Sequence, residues 1–260
     1  LMLEAEDAIN CQQVDAADHQ LKVVVPVLTR VSNHTDFDPL RMHPQVNLQF
    51  VGKGQPFPAA DLIIIPGTKS VRSDLAFLRE QGWDKQIQRH LRLGGKVMGI
   101  CGGYQMLGET IADPHAIEGE AGVSQGLGYL SIATTIEKNK CLQQTEGTLT
   151  MPNQMPVTVK GYEIHAGVTQ GVSANAPLQL TDGPDGQLGC DDQVFGTYLH
   201  GIFEQQGACD AILRWAGLEA TQTPDFDEIR QQGIDRIADT IEQHMDLAAI
   251  WPQWADKFKR

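Results

Sequence analysis

The stretch KVMGICGGYQMLGE, from Lys96 to Glu109, decides the fold. A short apolar run ends at Cys101, and a segment with helical spacing follows at once. Gly99, Gly102 and Gly103 surround the cysteine, where glycines permit a tight turn and leave room for a substrate. A strand that turns into a helix at a cysteine is typical of a nucleophile elbow, and the helix N-terminus favours the reactive thiolate. The alternative is a buried structural cysteine, which has no need of these glycines.

Apolar runs alternate with helical patterns on both sides of this elbow. Residues 21–28, 46–52, 60–67 and 96–100 are predicted as buried strands. The spacing predicts one helix after Gly67 that ends at Gly94–Gly95, and a second over YQMLGETI. We therefore expect an α/β fold with a mostly parallel sheet and helices on both faces.

The pattern changes from about residue 126. Short β-like runs separated by glycines follow, which predict added antiparallel strands. The last stretch, about residues 221–260, has a helical pattern with one apolar face. That face carries Ile234, Ile237, Ile241 and Met245.

Composition limits the function classes. The chain has 260 residues, a formal net charge of −13 and a pI near 4.9, which argues against nucleic-acid and anionic-membrane partners. No apolar run approaches the ~20 residues of a membrane span, and no stretch has the basic start and apolar core of a signal peptide. The five cysteines are scattered and form no C-x-x-C pair. We expect a cytoplasmic protein without a disulfide framework or a metal site.

A cysteine nucleophile needs a base, and two of the eight histidines stand out. They are His165, in GYEIHAG, and His200, in FGTYLHGIFE. His200 follows a strand-like run and precedes a glycine, so its ring can project from a strand end into a cleft. There it could take the thiol proton and later protonate a leaving amine. The pattern alone leaves open that His200 is a hydrogen-bonded core residue.

Several motifs together resemble a known family. GICGGYQMLGETI, GYEIHAG and FGTYLHGIF are similar to the class I glutamine amidotransferase domain of the cobyric acid synthases, which work in cobalamin biosynthesis. LTRVSNHTDFDPL and ADLIIIPGTKSVRSDL resemble the same family. The resemblance implies a class I glutamine amidotransferase-like domain over residues 21–220, before a helical tail at 221–260. Residues 1–20 would be a linker or the end of an N-terminal synthetase domain.

The resemblance also implies roles for individual residues. Cys101 would attack the carboxamide of L-glutamine to release ammonia and leave a glutamyl thioester, with His200 as base and then acid. Backbone amides of Gly102 and of Gly67 or Thr68 would form the oxyanion hole.

Further roles concern the substrate cleft. Gln105 would hold the α-amino or α-carboxylate end of glutamine. Three residues of the GYEIHAG motif would line the same cleft: Tyr162, Glu163 and His165.

The third member of a catalytic triad is missing at its usual position. Amidotransferases with a full triad carry a glutamate two positions after the histidine, where this chain has Ile202. The cobyric acid synthase family shares this departure, so a Cys–His dyad is expected, with Glu204 as a possible third acid. An imidazole without a carboxylate anchor is poorly oriented. We therefore expect weak glutamine hydrolysis by this chain alone.

The sequence has no phosphate-binding loop. PGTKS follows an apolar strand, but Thr68 stands where the GxxxxGK[ST] motif requires glycine. This piece is thus predicted to hold no cofactor. The chain begins with Leu1, which suggests a piece of a longer protein. In the family, an N-terminal synthetase domain uses ATP and Mg²⁺ to activate corrinoid carboxylates, and it would receive the ammonia.

Other function classes stay open. The domain could serve a related synthetase that amidates cobyrinate to its a,c-diamide, or one that amidates a cell-wall lipid precursor. A stand-alone cysteine hydrolase or peptidase would use the same elbow and histidine. A binding module that has lost the chemistry is the third class, although Cys101 and His200 are both present.

Overall fold

A six-stranded sheet forms the centre of the computed structural model, which describes residues 20–173, 176–245 and 250. With strands numbered along the chain, its order is β11 (Gln187–Leu188), β12 (Val194–Thr197), β4 (Lys96–Ile100), β3 (Leu62–Ile65), β1 (Leu21–Pro26) and β2 (Val46–Val51). All neighbours are parallel except β11, which pairs antiparallel with β12. The four strands predicted from the sequence are confirmed, and their continuous apolar runs are buried.

Helices connect the parallel strands. A 3₁₀ turn (His34–Phe37) and α1 (Asp38–Met42) lie between β1 and β2, and α2 (Val71–Glu80) and α3 (Trp83–Arg92) lie between β3 and β4. These two connections run in opposite directions across the sheet, so the right-handed crossover rule places them on opposite faces. The single helix predicted here is wrong, because Gly82 adopts a left-handed conformation (φ 70°) that separates α2 from α3.

The helix after the elbow is also shorter than predicted. α4 covers Gly102–Leu107, and the next residues form strand β5 (Thr110–Asp113). A Cβ atom at Gly108 would lie 2.8 Å from the backbone oxygen of Ile132, so the chain passes too close to its neighbour there for a helical side chain. The apolar spacing of YQMLGETI gives no indication of this close contact, so the predicted helix was too long.

Strands after β5 build a second sheet. They are β6 (Gly122–Gln125), β7 (Ala133–Leu149), β8 (Val157–Gln170), β9 (Leu178–Leu180) and β10 (Gly183–Asp185), in the order β10-β9-β7-β5-β6 with β8 paired to β7. β7 and β8 form a long antiparallel hairpin, with an irregularity between Ile136 and Cys141. The predicted antiparallel additions are thereby confirmed.

Two helices follow the sheets, α5 (Gln206–Trp215) and α6 (Phe226–His244). α6 confirms the helical pattern of the tail for Phe226–His244. Ile234 and Ile241 on its apolar face are 50% and 37% exposed, and Met245, just after its last residue, is 45% exposed. Residues 1–19 and most of the chain after Met245 lie outside the described residues, so the domain limits remain predictions. Among the helices of the described part, none is both long and apolar enough to cross a membrane.

A buried histidine fastens the segment before α6 to the sheet. His43 is fully buried, and its Nδ1 accepts a hydrogen bond from the backbone N–H of Gln45 (3.2 Å). The proton must then be on Nε2, which donates to the Thr223 hydroxyl (2.9 Å), and that hydroxyl donates to Asp210. Burial lowers the pKa of His43 to about 4, although the negative charge of Asp210 acts to raise it.

This pKa predicts a stability change in mild acid. An unfolded imidazole takes up a proton near pH 6.5, but folded His43 resists it until about pH 4, so the free energy of unfolding falls as the pH drops through that window. His43→Gln should lower the melting temperature near neutral pH by several degrees and make its decline in acid shallower. Thermal unfolding at a series of pH values measures both effects.

The control is exposed His115, and His115→Gln should leave the curve unchanged. Equal pH slopes for His43→Gln and the unaltered chain would contradict the prediction.

Candidate active site

Cys101 lies at a strained turn between β4 and α4. Its backbone has φ 51° and ψ −107°, a conformation that costs a residue with a side chain about 1–3 kcal/mol. Its N–H donates to the carbonyl of Thr197 on β12 (2.8 Å), and its thiol lies 3.6 Å from the carbonyl oxygen of Ile164 on β8. The side chain is 6% exposed. The predicted nucleophile elbow is therefore present in geometry, with the thiol facing the β7–β8 hairpin.

Two glycines allow the helix to pack against the strands at this turn. A Cβ atom at Gly103 would lie 2.0 Å from the carbonyl oxygen of Ile65, and one at Gly99 would lie 2.6 Å from the backbone of Gly103. Neither position has room for a side chain. The glycines that drew attention in the sequence are thus required by backbone contact as well as by the turn.

His200 is held by a carboxylate from a distant part of the chain. Its Nδ1 is 2.6 Å from Oδ2 of Asp36, and Oδ1 of Asp36 accepts from the N–H of Gly201 (2.9 Å). Both side chains are almost completely buried. The Tyr162 ring stacks on the imidazole with centroids 5.3 Å apart. Asp36 therefore fixes the orientation of the ring and leaves Nε2 as the nitrogen for a proton transfer.

The surroundings favour a charged imidazole. Burial opposes protonation of His200, but the charge and hydrogen bond of Asp36, together with the Cys101 thiol, raise its pKa above the usual value. Nε2 is buried and has no hydrogen-bond partner within the described residues. An imidazolium stabilised beside a thiol is the arrangement that activates a cysteine nucleophile.

The expectation that His200 lacks a carboxylate anchor is wrong. Ile202 is a core residue, and Glu204 forms an ion pair with Arg230 (3.5 Å). Asp36 fills the anchoring position, although it lies 164 residues before His200. It belongs to the SNHTDF segment, which follows β1 just as His200 follows β12. Carboxyl ends of parallel strands meet at one edge of a sheet, so this acid could have been selected from the sequence.

The residues predicted for an oxyanion hole lie around the elbow. A Cβ atom at Gly102 would be 3.0 Å from the backbone nitrogen of Thr68, so these two residues are in close contact. Gly67 packs against His200, since a Cβ atom there would lie 3.3 Å from Cε1 of the ring. The Thr68 hydroxyl donates to Asp74, which also accepts from Thr29 and so fixes the turn after β3.

A cavity of about 340 Å³ opens beside the thiol. Among the predicted site residues, those that line it are Thr68, Cys101, Gly102, Gln105 and His165. Nε2 of Gln105 donates to the Tyr198 hydroxyl (3.0 Å), whereas its Oε1 is buried without a partner in the described structure. Sequence reasoning missed other polar lining residues: Ser32, Asn33, Lys69, Glu118 and Lys140.

The GYEIHAG motif divides between two environments. The Tyr162 hydroxyl accepts from Asn33 (3.0 Å), next to the cavity. His165 lines the cavity, and its ring stacks on Tyr198 with centroids 3.8 Å apart. Glu163 instead accepts a hydrogen bond from Gln143 on β7 (2.8 Å) and is not among the residues that line the cavity.

A protein-family model matches most of the chain. The model for CobB/CobQ-like glutamine amidotransferase domains matches residues 22–208. The chain belongs to this family. It is therefore a glutamine amidotransferase domain with α/β architecture, as the motifs predicted.

Curated relatives agree with this assignment. The chain is 78% identical over 260 residues to a cobyric acid synthase of Photobacterium profundum and 53% identical over 264 residues to one of Aliivibrio fischeri. It is covered completely in both comparisons but spans only 53% of each relative.

Two structures support the fold alone. One is PurLQS from Thermotoga maritima, with a TM-score of 0.55, 18% identity and coverage of 75% of this chain and 99% of that one. The other is a glutamine amidotransferase, with a TM-score of 0.54, 14% identity and the same coverage. The predicted class I amidotransferase-like architecture is confirmed.

The Asp36–His200 bond predicts a measurable titration change. Asp36→Asn removes the negative charge next to the ring, so the pKa of His200 should fall by about 1–3 units. Chemical shifts of labelled histidine, recorded against pH, report this pKa directly. The matched control is Asp38→Asn, because Asp38 pairs with Arg41 at the start of α1. A His200 titration that is the same in both variants would show that Asp36 does not act on the ring.

Proposed function

We propose that the chain is the ammonia-supplying glutaminase domain of a cobyric acid synthase. The observation that carries the proposal is the buried Asp36–His200 bond beside Cys101 at a strained elbow. Complete coverage of the chain by two cobyric acid synthases supports the choice of synthase. In this proposal Cys101, His200 and Asp36 form a triad rather than the expected dyad.

The first half of the reaction forms an acyl-enzyme. The Cys101 thiolate attacks the side-chain carbonyl carbon of glutamine, and the carbonyl oxygen becomes an oxyanion. Backbone N–H groups of Gly102 and of Gly67 or Thr68 would stabilise that charge, and one such donor is typically worth about 3–4 kcal/mol. The protonated His200 then gives its proton to the leaving nitrogen, so ammonia departs and a glutamyl thioester remains.

The second half returns the enzyme to its starting state. Neutral His200 takes a proton from water, and the resulting hydroxide attacks the thioester carbonyl. The carbon–sulfur bond breaks, glutamate leaves and the thiolate–imidazolium pair is restored. Asp36 accepts a hydrogen bond from Nδ1 throughout and stabilises the positive ring without becoming protonated.

The cavity suits a single amino acid with two charged ends. Lys69 and Lys140 can bind an α-carboxylate, whereas Glu118 can accept from an α-ammonium group. The unpaired Oε1 of Gln105 is a further acceptor for that ammonium. A cavity of about 340 Å³ has room for a free amino acid such as glutamine.

The rest of the longer protein would use the ammonia. The two relatives have roughly as many residues again, which leaves room for the ATP-dependent synthetase domain that the resemblance implies. We propose that this domain activates corrinoid carboxylates and receives ammonia from the cleft. Corrinoid amidation by the longer protein, with cobyrinate and a cell-wall lipid precursor as the substrates of the alternative synthetases, tests this choice.

Covalent labelling tests the nucleophile. A glutamine analogue with a diazo-ketone electrophile should alkylate Cys101 and spare Cys141, Cys190 and Cys209, as located by peptide mass spectrometry. In the longer protein, Cys101→Ser should abolish glutamine-dependent synthesis but preserve synthesis from added ammonia. Labelling at Cys141 or Cys209 instead would overturn the assignment.

Steady-state kinetics test the third member of the triad. Asp36→Asn should lower kcat for glutamine hydrolysis by about 10²–10⁴-fold, because an amide in place of a triad carboxylate stabilises the wrong tautomer. Glu204→Gln should change kcat by less than about threefold, since Glu204 pairs with Arg230 at a partly exposed position and Asp36 already binds Nδ1 of His200. A larger loss for Glu204→Gln than for Asp36→Asn would restore Glu204 as the third acid.

A further inference from the structure

A group of potential metal ligands lies on the β7–β8 hairpin. The ligand atoms of Cys141, Glu163 and His165 are all within 4.8 Å of one another, and all three side chains are half-buried. Cys141 pairs directly with His165 across the strands, and Glu163 lies two residues before His165 on the same face. Two rigid strands therefore hold a thiol, a carboxylate and an imidazole together.

Hydrogen bonds prepare two of these side chains for coordination. Nδ1 of His165 is 2.8 Å from the carbonyl oxygen of Gly167, so Nδ1 carries the proton and Nε2 is left for a metal. The Gln143 amide donates to Oε2 of Glu163 (2.8 Å) and leaves Oε1 for a metal. Histidine bound to a carbonyl and carboxylate bound to an amide are the usual outer contacts of metal ligands.

We propose that Cys141, Glu163 and His165 bind Zn²⁺, and that the bound ion blocks the cleft beside Cys101. Sulfur, nitrogen and oxygen ligands in one set favour zinc over magnesium or calcium, which take oxygen ligands. Three protein ligands leave a fourth position for water. The scattered cysteines predicted no metal site, because strand pairing brings together residues that no local motif connects.

The geometry requires only a small contraction. Metal–ligand bonds of about 2.0–2.3 Å in a tetrahedron place neighbouring ligand atoms about 3.4–3.6 Å apart. The ligand atoms now lie up to 4.8 Å apart, so they must approach one another by about 1 Å. Rotamer changes of the three side chains can produce this movement. On binding, a sulfur–zinc bond replaces the sulfur–hydrogen bond of Cys141, and the proton goes to solvent.

The position of His165 explains why occupancy would inhibit. His165 lines the same cavity as Cys101, and its ring stacks on Tyr198, which accepts a hydrogen bond from Gln105. A hydrated zinc ion on Nε2 would therefore stand beside the volume proposed for glutamine. Inhibition rests on the proposed function, whereas metal binding does not.

Cobalt spectroscopy tests binding without any need for activity. Co²⁺ replaces Zn²⁺ in such sites, and coordination by a thiolate produces a charge-transfer band. The test uses the 260-residue chain with Cys101→Ser, so that Co²⁺ cannot bind the Cys101 thiol. This variant should develop the band with one equivalent of Co²⁺. Adding Cys141→Ser should abolish the band, and adding Glu163→Gln should weaken affinity at least about tenfold. Cys190→Ser, which removes an exposed thiol, is the matched control and should preserve it.

The outcomes separate the two parts of the proposal. A band that survives Cys141→Ser, or one that is lost with Cys190→Ser, would overturn the site. Zn²⁺ should inhibit glutaminase turnover of the unaltered chain, and Cys141→Ser should require at least about tenfold more Zn²⁺ while retaining its rate in a chelator. Equal inhibition of both chains would place the inhibitory ion at Cys101 and overturn the blocking role.

Discussion

The contact between Asp36 and His200 is the interaction on which the site depends. A carboxylate and an imidazole are costly to bury separately, and each compensates for the other only at hydrogen-bond distance. The 3₁₀ turn after β1 supplies the acid, and the end of β12 supplies the base. The strand order places β3 and β4 between them, so both residues reach one edge of the sheet. The pairing therefore joins opposite parts of the sheet at the point where Cys101 emerges.

The β7–β8 hairpin completes what the parallel sheet begins. The sheet supplies the thiol, the imidazole and the carboxylate, but it leaves the cleft open on one side. Ile164 closes that side through its carbonyl contact with Cys101, and the neighbouring His165 lines the cavity. Side chains alternate along a strand, so Tyr162 stacks on His200 whereas Glu163 and His165 lie on the other face of β8.

The local sequence pattern predicted the fold well, because buried parallel strands appear as continuous apolar runs and the elbow appears as a glycine-flanked cysteine. The pattern failed where tertiary contacts decide the outcome. Gly82 and Gly108 interrupt segments with good helical spacing, and only the structure shows the turn at one and the close approach at the other. Asp36 escaped notice because a search for the acid near His200 assumes that partners are close in sequence. Parallel topology instead brings together strand ends that lie far apart along the chain.

The strained backbone at Cys101 lowers the stability of the folded chain. A residue with a side chain is held at φ 51°, although glycine would occupy this conformation at little cost. Selection for folding alone would therefore replace this cysteine, whereas selection for the proposed chemistry would keep it. A lineage that no longer needed the nucleophile would gain stability by losing it, and would retain the cleft as a binding surface. Under the proposed function, cysteine at this position marks a domain that gives up stability for its reaction.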